Sequence, residues 1–240
     1  MKRIYREELT VLSNWVDHRQ ELRLSTLFTL LQDASLQHAT ELGVGKERTL
    51  DRGLLWVVTR HHAEVVRMPR YNERIVLETW PGNTRRMLFP RYYRILDEQG
   101  AVLLKIATLW VIIDANTRKL VVPELYHLAV PGVETGDEIS VNAPPHVLDV
   151  PEHTELTVPY SYIDINGHMN NVRYFDVCLD AAYEQIGNRP IRELRVEYNN
   201  EAKFGEVLHV DWGTQDNELY FAGTVTDRPC FKIGLTLAPN

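Results

Sequence analysis

The chain has 240 residues, a net charge of -7, and ordinary proportions of hydrophobic (44%) and charged (25%) residues. Its length fits one large domain or two of about 120 residues, and either can bury a core without disulfides or a structural metal. The acidic balance disfavours nucleic acid as a partner. Cys178 and Cys230 form no Cys-x-x-Cys pair, so neither a disulfide framework nor a zinc site is expected. Without an apolar run of about 18 residues or a signal peptide, we expect a cytoplasmic protein with no membrane span.

The first half of the chain predicts one strand, one long helix and four further strands. Alternating residues favour a strand over residues 7–17. A helix is predicted from Ser25 to Leu42, with Ser25 as its N-cap and Gly43 after its end. β-branched and aromatic residues then predict strands at Leu54–Thr59, Ile75–Trp80, Met87–Leu96 and Val102–Asp114.

The second half repeats this order after a stretch rich in proline and glycine. A strand is predicted at Thr154–Tyr160, followed by a helix that Asn170 or Asn171 opens and Gly187 ends. The remaining predicted strands are Ile191–Asn199, Val207–Trp212, Leu219–Val225 and Cys230–Leu237. An offset of 132 residues aligns Trp80 with Trp212. This duplication predicts an α+β fold of two units, residues 1–122 and 151–240, joined by a linker over residues 123–150. Each unit is an antiparallel sheet that wraps its helix, and the two sheets can join edge to edge.

The most unusual segment is Asp164-Ile165-Asn166-Gly167-His168, which lies just before the second predicted helix. A helix start offers free backbone N–H groups and the positive end of the helix dipole, both of which stabilise an oxyanion. Helix capping needs one Asx residue, and this segment has several polar residues beyond that. We therefore interpret it as part of a catalytic site.

The segment resembles the Asp-x-Asn-x-His motif of the acyl-ACP thioesterases, and it is also similar to a pattern of other hot-dog thioesterases. Leu54–Arg60 and Val196–Ala202 resemble strands of the acyl-ACP thioesterase family, and Trp110–Asp114 with Thr117-Arg118 resembles the close of its first half. The resemblance covers nearly the whole chain, in the expected order. It implies a tandem (double) hot-dog fold with an acyl-binding first unit and a catalytic second unit.

Carried over, the resemblance implies a site of Asp164, Asn166, His168 and Glu201, with no cofactor and no metal. Plant members often have cysteine after that glutamate. Here the residue is Ala202, which excludes a cysteine mechanism at that position. We assign Glu201 as the general base for water or as a nucleophile, with the backbone N–H of Gly167 or His168 as the oxyanion donor. The alternative assignment makes Asp164 the base.

The implied activity is hydrolysis of fatty acyl-ACP to free fatty acid in fatty acid biosynthesis. Acyl carrier protein is acidic, and residues 60–94 carry eight arginines against three acids. Arg85, Arg86 and Arg91 are therefore the predicted docking residues, and Trp56 is a predicted substrate contact in the first half, where Asn14–Ser25 replace the catalytic segment.

Three other functions stay open from the sequence: an acyl-CoA thioesterase, a hot-dog hydratase, and a non-catalytic acyl-binding module. The neighbouring His61 and His62 lack a third metal ligand at suitable spacing and are predicted to lie at the surface. A double hot-dog chain resembles a dimer by itself, so a monomer or a homodimer is expected.

Overall fold

The computed structural model describes residues 3–145 and 150–239. In these residues the chain forms ten β-strands, three α-helices and several short 3₁₀ turns. The first half contains β1 (Tyr5–Thr10), α1 (Leu24–Glu41), β2 (Leu54–Val65), β3 (Arg74–Pro81), β4 (Phe89–Asp97) and β5 (Val102–Asp114). The second half contains β6 (Glu152–Thr157), α2 (Arg173–Ala181), α3 (Tyr183–Ile186), β7 (Ile191–Tyr198), β8 (Val207–Gln215), β9 (Glu218–Val225) and β10 (Arg228–Leu237). No helix among the described residues is long and apolar enough to cross a membrane.

All ten strands form one antiparallel sheet, in the order β1-β3-β4-β5-β2-β7-β10-β9-β8-β6. The order within the first half is the mirror of the order within the second. The halves join where β2 pairs with β7, from Arg60 opposite Glu197 to Glu64 opposite Glu193. The predicted edge-to-edge joining of two repeated units is therefore confirmed, and the architecture is the double hot-dog fold.

The repeat is real, but the offset of 132 residues is wrong by one residue in these strands. In the first half, Thr79 of β3 pairs with Tyr93 of β4. In the second half, Trp212 of β8 occupies the position that corresponds to Thr79 and pairs with Phe221 of β9. Trp212 packs in the main core, whereas the indole of Trp80 bonds Glu138 on the other face of the sheet. Because side chains alternate along a strand, a slip of one residue puts the two tryptophans on opposite faces.

The two long helices, α1 and α2, lie against one face of the sheet and share a single core. The rings of Phe28 in α1 and Phe175 in α2 stack with centroids 4.8 Å apart. Both rings are almost completely buried, and the cluster around them includes residues of strands from both halves. The two halves therefore have one common hydrophobic core.

The helix starts differ from the sequence predictions. α1 begins at Leu24, and Ser25 is buried inside its first turn instead of capping it. α2 begins only at Arg173, after both predicted openings, Asn170 and Asn171, because residues 171 and 172 form a turn. The helical stretch is also interrupted at Ala182, where φ and ψ are −105° and 20°. Gly43 and Gly187 follow the helix ends, as predicted, and both have positive φ.

The predicted linker is packed onto the protein. Leu128 and Val130 are buried in a second apolar cluster with Phe89. Further along, the carboxylate of Asp137 pairs with Arg94 and Lys105. The residues around Leu128 and Val130 therefore pack on the helix side of the sheet, where Ala39 of α1 belongs to the same cluster, and those around Asp137 cover the opposite face. Residues 146–149 of the predicted linker lie outside the described residues.

The prediction that His61 and His62 lie at the surface is wrong. They are 7% and 3% exposed, because β2 is a central strand covered on both faces. His62 lies on the outer face, where its ring bonds Glu193 at 2.7 Å and the carbonyl of Ser140. His61 lies among the rings of the inner face, and its Nδ1 has no hydrogen-bond partner in the described chain.

Replacing His61 with Phe should make the fold less sensitive to acid. Burial lowers the pKa of His61 to about 3, whereas the unfolded chain takes up this proton near pH 6.5. Between these values the unfolded state binds more protons, so the folded state loses stability as the pH falls below 6.5. Urea unfolding at pH 7 and pH 5 should show that the parent loses about 2 kcal/mol more than His61→Phe. The exposed His18→Gln should match the parent, and equal acid sensitivity in all three proteins would refute this prediction.

Candidate active site

The segment predicted to be catalytic forms a tight turn that is held by its own backbone. Asp164 N–H donates to the carbonyl of His168 at 2.9 Å, and Gly167 N–H donates to the carbonyl of Asp164 at 3.0 Å. The Asp164 carboxylate accepts the N–H of Asn166 at 2.8 Å. Gly167 has a φ of +80°, a conformation in which a residue with a Cβ is strained. Asp164 therefore stabilises the turn, which presents Asn166 and His168.

The turn places His168 against Glu201. Its Nε2 lies 3.0 Å from Glu201 Oε2, and the side chains of His168 and Glu201 are 19% and 35% exposed. Met169 N–H donates to the carbonyl of Ala202 at 2.8 Å, which fastens the turn to the connection that carries Glu201. Glu201 lies in this connection, three residues after β7 ends, and not on a strand as predicted. The structure thus brings together three predicted residues, Asp164, His168 and Glu201.

Arg118 of the first half completes this group, although it was not among the residues predicted for the site. Its guanidinium bonds Glu201 Oε1, so it leaves Oε2 directed at His168. The turn after β5 positions Arg118, because Asp114 accepts hydrogen bonds from the N–H groups of Thr117 and Arg118. The bonds from Thr117 also lower the pKa of the Asp114 carboxyl. The only sequence signal for Arg118 was its place in the stretch that resembles the family.

The oxyanion donor is more restricted than predicted. Gly167 N–H already donates within the turn, so the prediction that it is available to substrate is wrong. The N–H of His168 donates no hydrogen bond to any described part of the chain. Asn166 is exposed at the rim, where its amide can reach a ligand. The turn therefore offers the His168 N–H and the Asn166 side chain as donors.

A cavity of about 490 Å³ opens beside these residues. It is lined by the turn, by the Glu201 connection, and by the first-half strands β2 and β5. Trp56 and Trp110 line this cavity and also a smaller apolar one of about 40 Å³, which Ala39, Val44 and Phe89 help to enclose. The predicted contact residue Trp56 therefore stands between the polar site and an apolar space in the first half.

The first half contains the same turn with different side chains. Asp17 N–H donates to the carbonyl of Glu21 at 2.9 Å, and Gln20 N–H donates to the carbonyl of Asp17 at 3.0 Å. The Asp17 carboxylate accepts the N–H of Arg19 at 2.8 Å. Arg19 and Glu21 thus replace Asn166 and His168, and by the same register Met68 replaces Glu201. The expectation that residues 14–25 occupy the equivalent place without the catalytic set is confirmed.

The three predicted docking arginines do not form one surface. Arg85 and Arg86 are exposed on the hairpin between β3 and β4, with no ion pair to any described residue. Arg91 is buried under α1, where it bonds His38 at 3.1 Å and Thr79 at 3.2 Å. Arg91 is therefore excluded from a docking surface, and this part of the prediction is wrong.

The cysteines do not contribute to the site. Cys178 in α2 and Cys230 in β10 are buried, as predicted, and burial raises the pKa of both thiols. Ala202 is fully buried and takes part only through its backbone. A carboxylate, an imidazole and a backbone N–H are consequently the groups that could act on a substrate.

Comparisons with known proteins agree with this geometry. Curated relatives include an acyl-[acyl-carrier-protein] hydrolase of Cuphea viscosissima, 27% identical over 219 residues, and a dodecanoyl-[acyl-carrier-protein] hydrolase of Cinnamomum camphora, 27% identical over 222 residues. Each match covers 85% of this chain but only 53% and 58% of the relative, so the chain spans little more than half of their length.

Solved structures share the fold over nearly the whole chain. An acyl-ACP thioesterase from Bacteroides thetaiotaomicron superposes with a TM-score of 0.81 at 25% identity, covering 98% of both chains. The 12:0-ACP thioesterase from Umbellularia californica gives a TM-score of 0.85 at 21% identity, covering 100% of this chain and 99% of the other. The family model of the acyl-ACP thioesterase N-terminal domain matches residues 2–127, and that of the C-terminal domain matches residues 146–227. This chain therefore belongs to the acyl-ACP thioesterase family.

Proposed function

We propose that the chain hydrolyses the thioester of a fatty acyl-[acyl carrier protein] and releases the free fatty acid. The observation that carries this proposal is the contact of 3.0 Å between His168 and Glu201 at a cavity whose wall residues Trp56 and Trp110 also line a small apolar space. A thioester hydrolase needs such a polar centre beside room for an alkyl chain. The names of the relatives supply the substrate class.

In the proposed reaction, Glu201 acts as general base on a water molecule beside His168. The water oxygen attacks the thioester carbonyl carbon, and its proton passes to the Glu201 carboxylate. The developing oxyanion accepts a hydrogen bond from the N–H of His168, with the Asn166 amide as a second donor. When the C–S bond breaks, the proton returns from Glu201 to the leaving thiolate. Asp164 acts through the turn, since its carboxylate already bonds the backbone of Asn166.

The acyl chain is proposed to enter the first half. Trp56 and Trp110 form the passage from the catalytic cavity, and the space beyond them is enclosed by apolar residues of α1 and β4. Ring contacts hold this region: Trp56 and Phe89 meet edge to face at 4.6 Å. In this proposal the first unit binds the acyl chain and the second unit supplies the catalytic groups. Arg118 is the exception, because it belongs to the first unit and contacts Glu201.

The test of this proposal is a hydrolysis assay with matched acyl-ACP and acyl-CoA substrates over a series of chain lengths. Free fatty acid and one free thiol per turnover, with a higher kcat/KM on acyl-ACP, would support the proposal. A higher kcat/KM on acyl-CoA would identify an acyl-CoA thioesterase instead. Formation of an enoyl thioester would indicate a hydratase, and tight binding without turnover a binding module.

Reversing the charges of Arg85 and Arg86 should weaken productive binding of acyl-ACP. The strand order places their hairpin at the same end of the sheet as Arg118 and Glu201. A double Arg→Glu variant should raise KM for acyl-ACP about tenfold by repelling the acidic carrier, an effect that shrinks as salt is added.

The same variant should keep its KM for a small acyl thioester that has no protein carrier. Arg74→Glu is the matched control, because Arg74 is an exposed arginine at the opposite end of β3. If the double variant changed KM equally for both substrates, or if Arg74→Glu had the same effect, the hairpin would not be the docking surface.

A further inference from the structure

A compact group of two imidazoles and two carboxylates lies at the far edge of the sheet, away from the catalytic cavity. His153 and Glu155 point to the same face of β6, and His209 and Asp211 occupy the facing positions on β8. The strand register pairs His153 with Asp211 and Glu155 with His209. The four side chains thus form a square on two adjacent strands, and nothing in the proposed thioesterase reaction uses them.

The side chains are already directed at one another. Glu155 Oε1 lies 2.9 Å from His209 Nδ1 and 3.3 Å from His153 Nε2. The other ring nitrogen of His153, Nδ1, bonds Asp211 at 2.8 Å. One donor atom from each of His153, Glu155 and His209 can be chosen so that all three lie within 4.8 Å of one another. In the described chain, neither carboxylate pairs with an arginine or a lysine.

We propose that this square binds a divalent cation of the zinc class, with His153 Nε2, Glu155 Oε1 and His209 Nδ1 as ligands. Zinc prefers imidazole nitrogen and carboxylate oxygen at about 2.0–2.2 Å in tetrahedral geometry, and three protein ligands leave the fourth position to water. Asp211 is the orienting carboxylate. By accepting the Nδ1–H of His153 it directs the Nε2 lone pair at the cation, as partners of metal-bound histidines commonly do.

The site forms through pairing of two strands, which is why the sequence did not reveal it. His-x-Glu on β6 and His-x-Asp on β8 are separated by more than fifty residues, and each alone is an ordinary surface pattern. Within residues 3–145 and 150–239, β6 is the last strand of the sheet and pairs only with β8. A cation held by ligands from both strands therefore fastens this edge strand to the sheet.

Titration of the metal-free full chain with zinc chloride, followed by calorimetry, tests this site directly. The parent should bind one equivalent, and its melting temperature should rise by on the order of 5 °C at saturation. His209→Asn removes a ligand and should abolish both effects. Asp211→Asn keeps all three ligands and should weaken zinc binding about 10–100-fold.

His18→Asn is the matched control, because it removes an exposed histidine at a distant position. It should bind zinc like the parent. The melting temperatures of all variants without zinc show whether each one is folded. Failure of the folded parent to bind a saturable equivalent, or undiminished binding by folded His209→Asn, would overturn the proposal. Acyl hydrolysis plays no part in these measurements, so they are independent of the proposed function.

Discussion

Glu201→Gln should lower kcat for acyl-ACP hydrolysis by about 10²–10⁴-fold, the range that general-base catalysis contributes. Glutamine keeps the size of the side chain and can still contact His168 and Arg118, but it cannot accept a proton from water. KM should change little, since the proposed sites for the acyl chain and the carrier do not include Glu201. Steady-state rates on one acyl-ACP substrate, with the folded state checked by circular dichroism, give the comparison.

Two further variants distinguish loss of the proton acceptor from loss of the residues that position it. Asp164→Asn should reduce kcat less than Glu201→Gln, because Asp164 is committed to the backbone of the turn. Arg118→Met keeps Glu201 but removes the partner of its Oε1 atom. It should lower kcat by about tenfold, which corresponds to an activation barrier higher by about 1.4 kcal/mol. Near-full kcat in Glu201→Gln together with a large loss in Asp164→Asn would reverse the assignment and make Asp164 the base.

Phe28→Ala should destabilise the whole protein by about 3–5 kcal/mol, the usual cost of removing a buried phenylalanine ring. Phe28 stacks on Phe175 of the other half and also contacts the ring of His61 in the central strand β2. The cavity would therefore open where both helices and the sheet meet. Guanidinium unfolding, followed by fluorescence and by circular dichroism, measures the loss.

Because the core is shared, Phe28→Ala should shift one unfolding transition in which both halves take part. Leu125→Ala is the control: Leu125 is 76% exposed, and its removal should change stability by less than about 0.5 kcal/mol. A loss near that of the control, or a variant whose halves unfold in two separate steps, would contradict the description of a single core.

The sequence predicted well those features that depend on local pattern. The limits of β5, Val102 to Asp114, agree with the prediction, since a long β-branched run between two turn signals defines a buried strand. The turn that we propose to be catalytic was indicated because several polar residues gather at one helix start. Trp56, predicted as a substrate contact of the first half, lines the cavity beside His168 and Glu201.

The predictions from the sequence were wrong or incomplete where the burial or contact of a residue depends on a partner far away in the chain. Arg91 is in a strand rich in arginine, and its burial depends on His38 of α1, 53 residues away. His61 and His62 are buried because β2 becomes a central strand only after it pairs with β7. Arg118 reaches Glu201 across 83 residues. No local pattern specifies these pairings, and the one-residue error in the repeat arose because identity of two tryptophans does not reveal which face each occupies.

The same turn occurs once in each half of the chain, at Asp164 and at Asp17. Its three backbone and carboxylate bonds recur at Asp17 with Arg19 and Glu21 in place of the asparagine and the histidine. The conformation of the loop is therefore independent of the residues that the loop displays. Substitutions at residues 166 and 168 should therefore leave the backbone of the turn unchanged. A lower hydrolysis rate in such variants would then report the loss of a reacting side chain and not the unfolding of the loop.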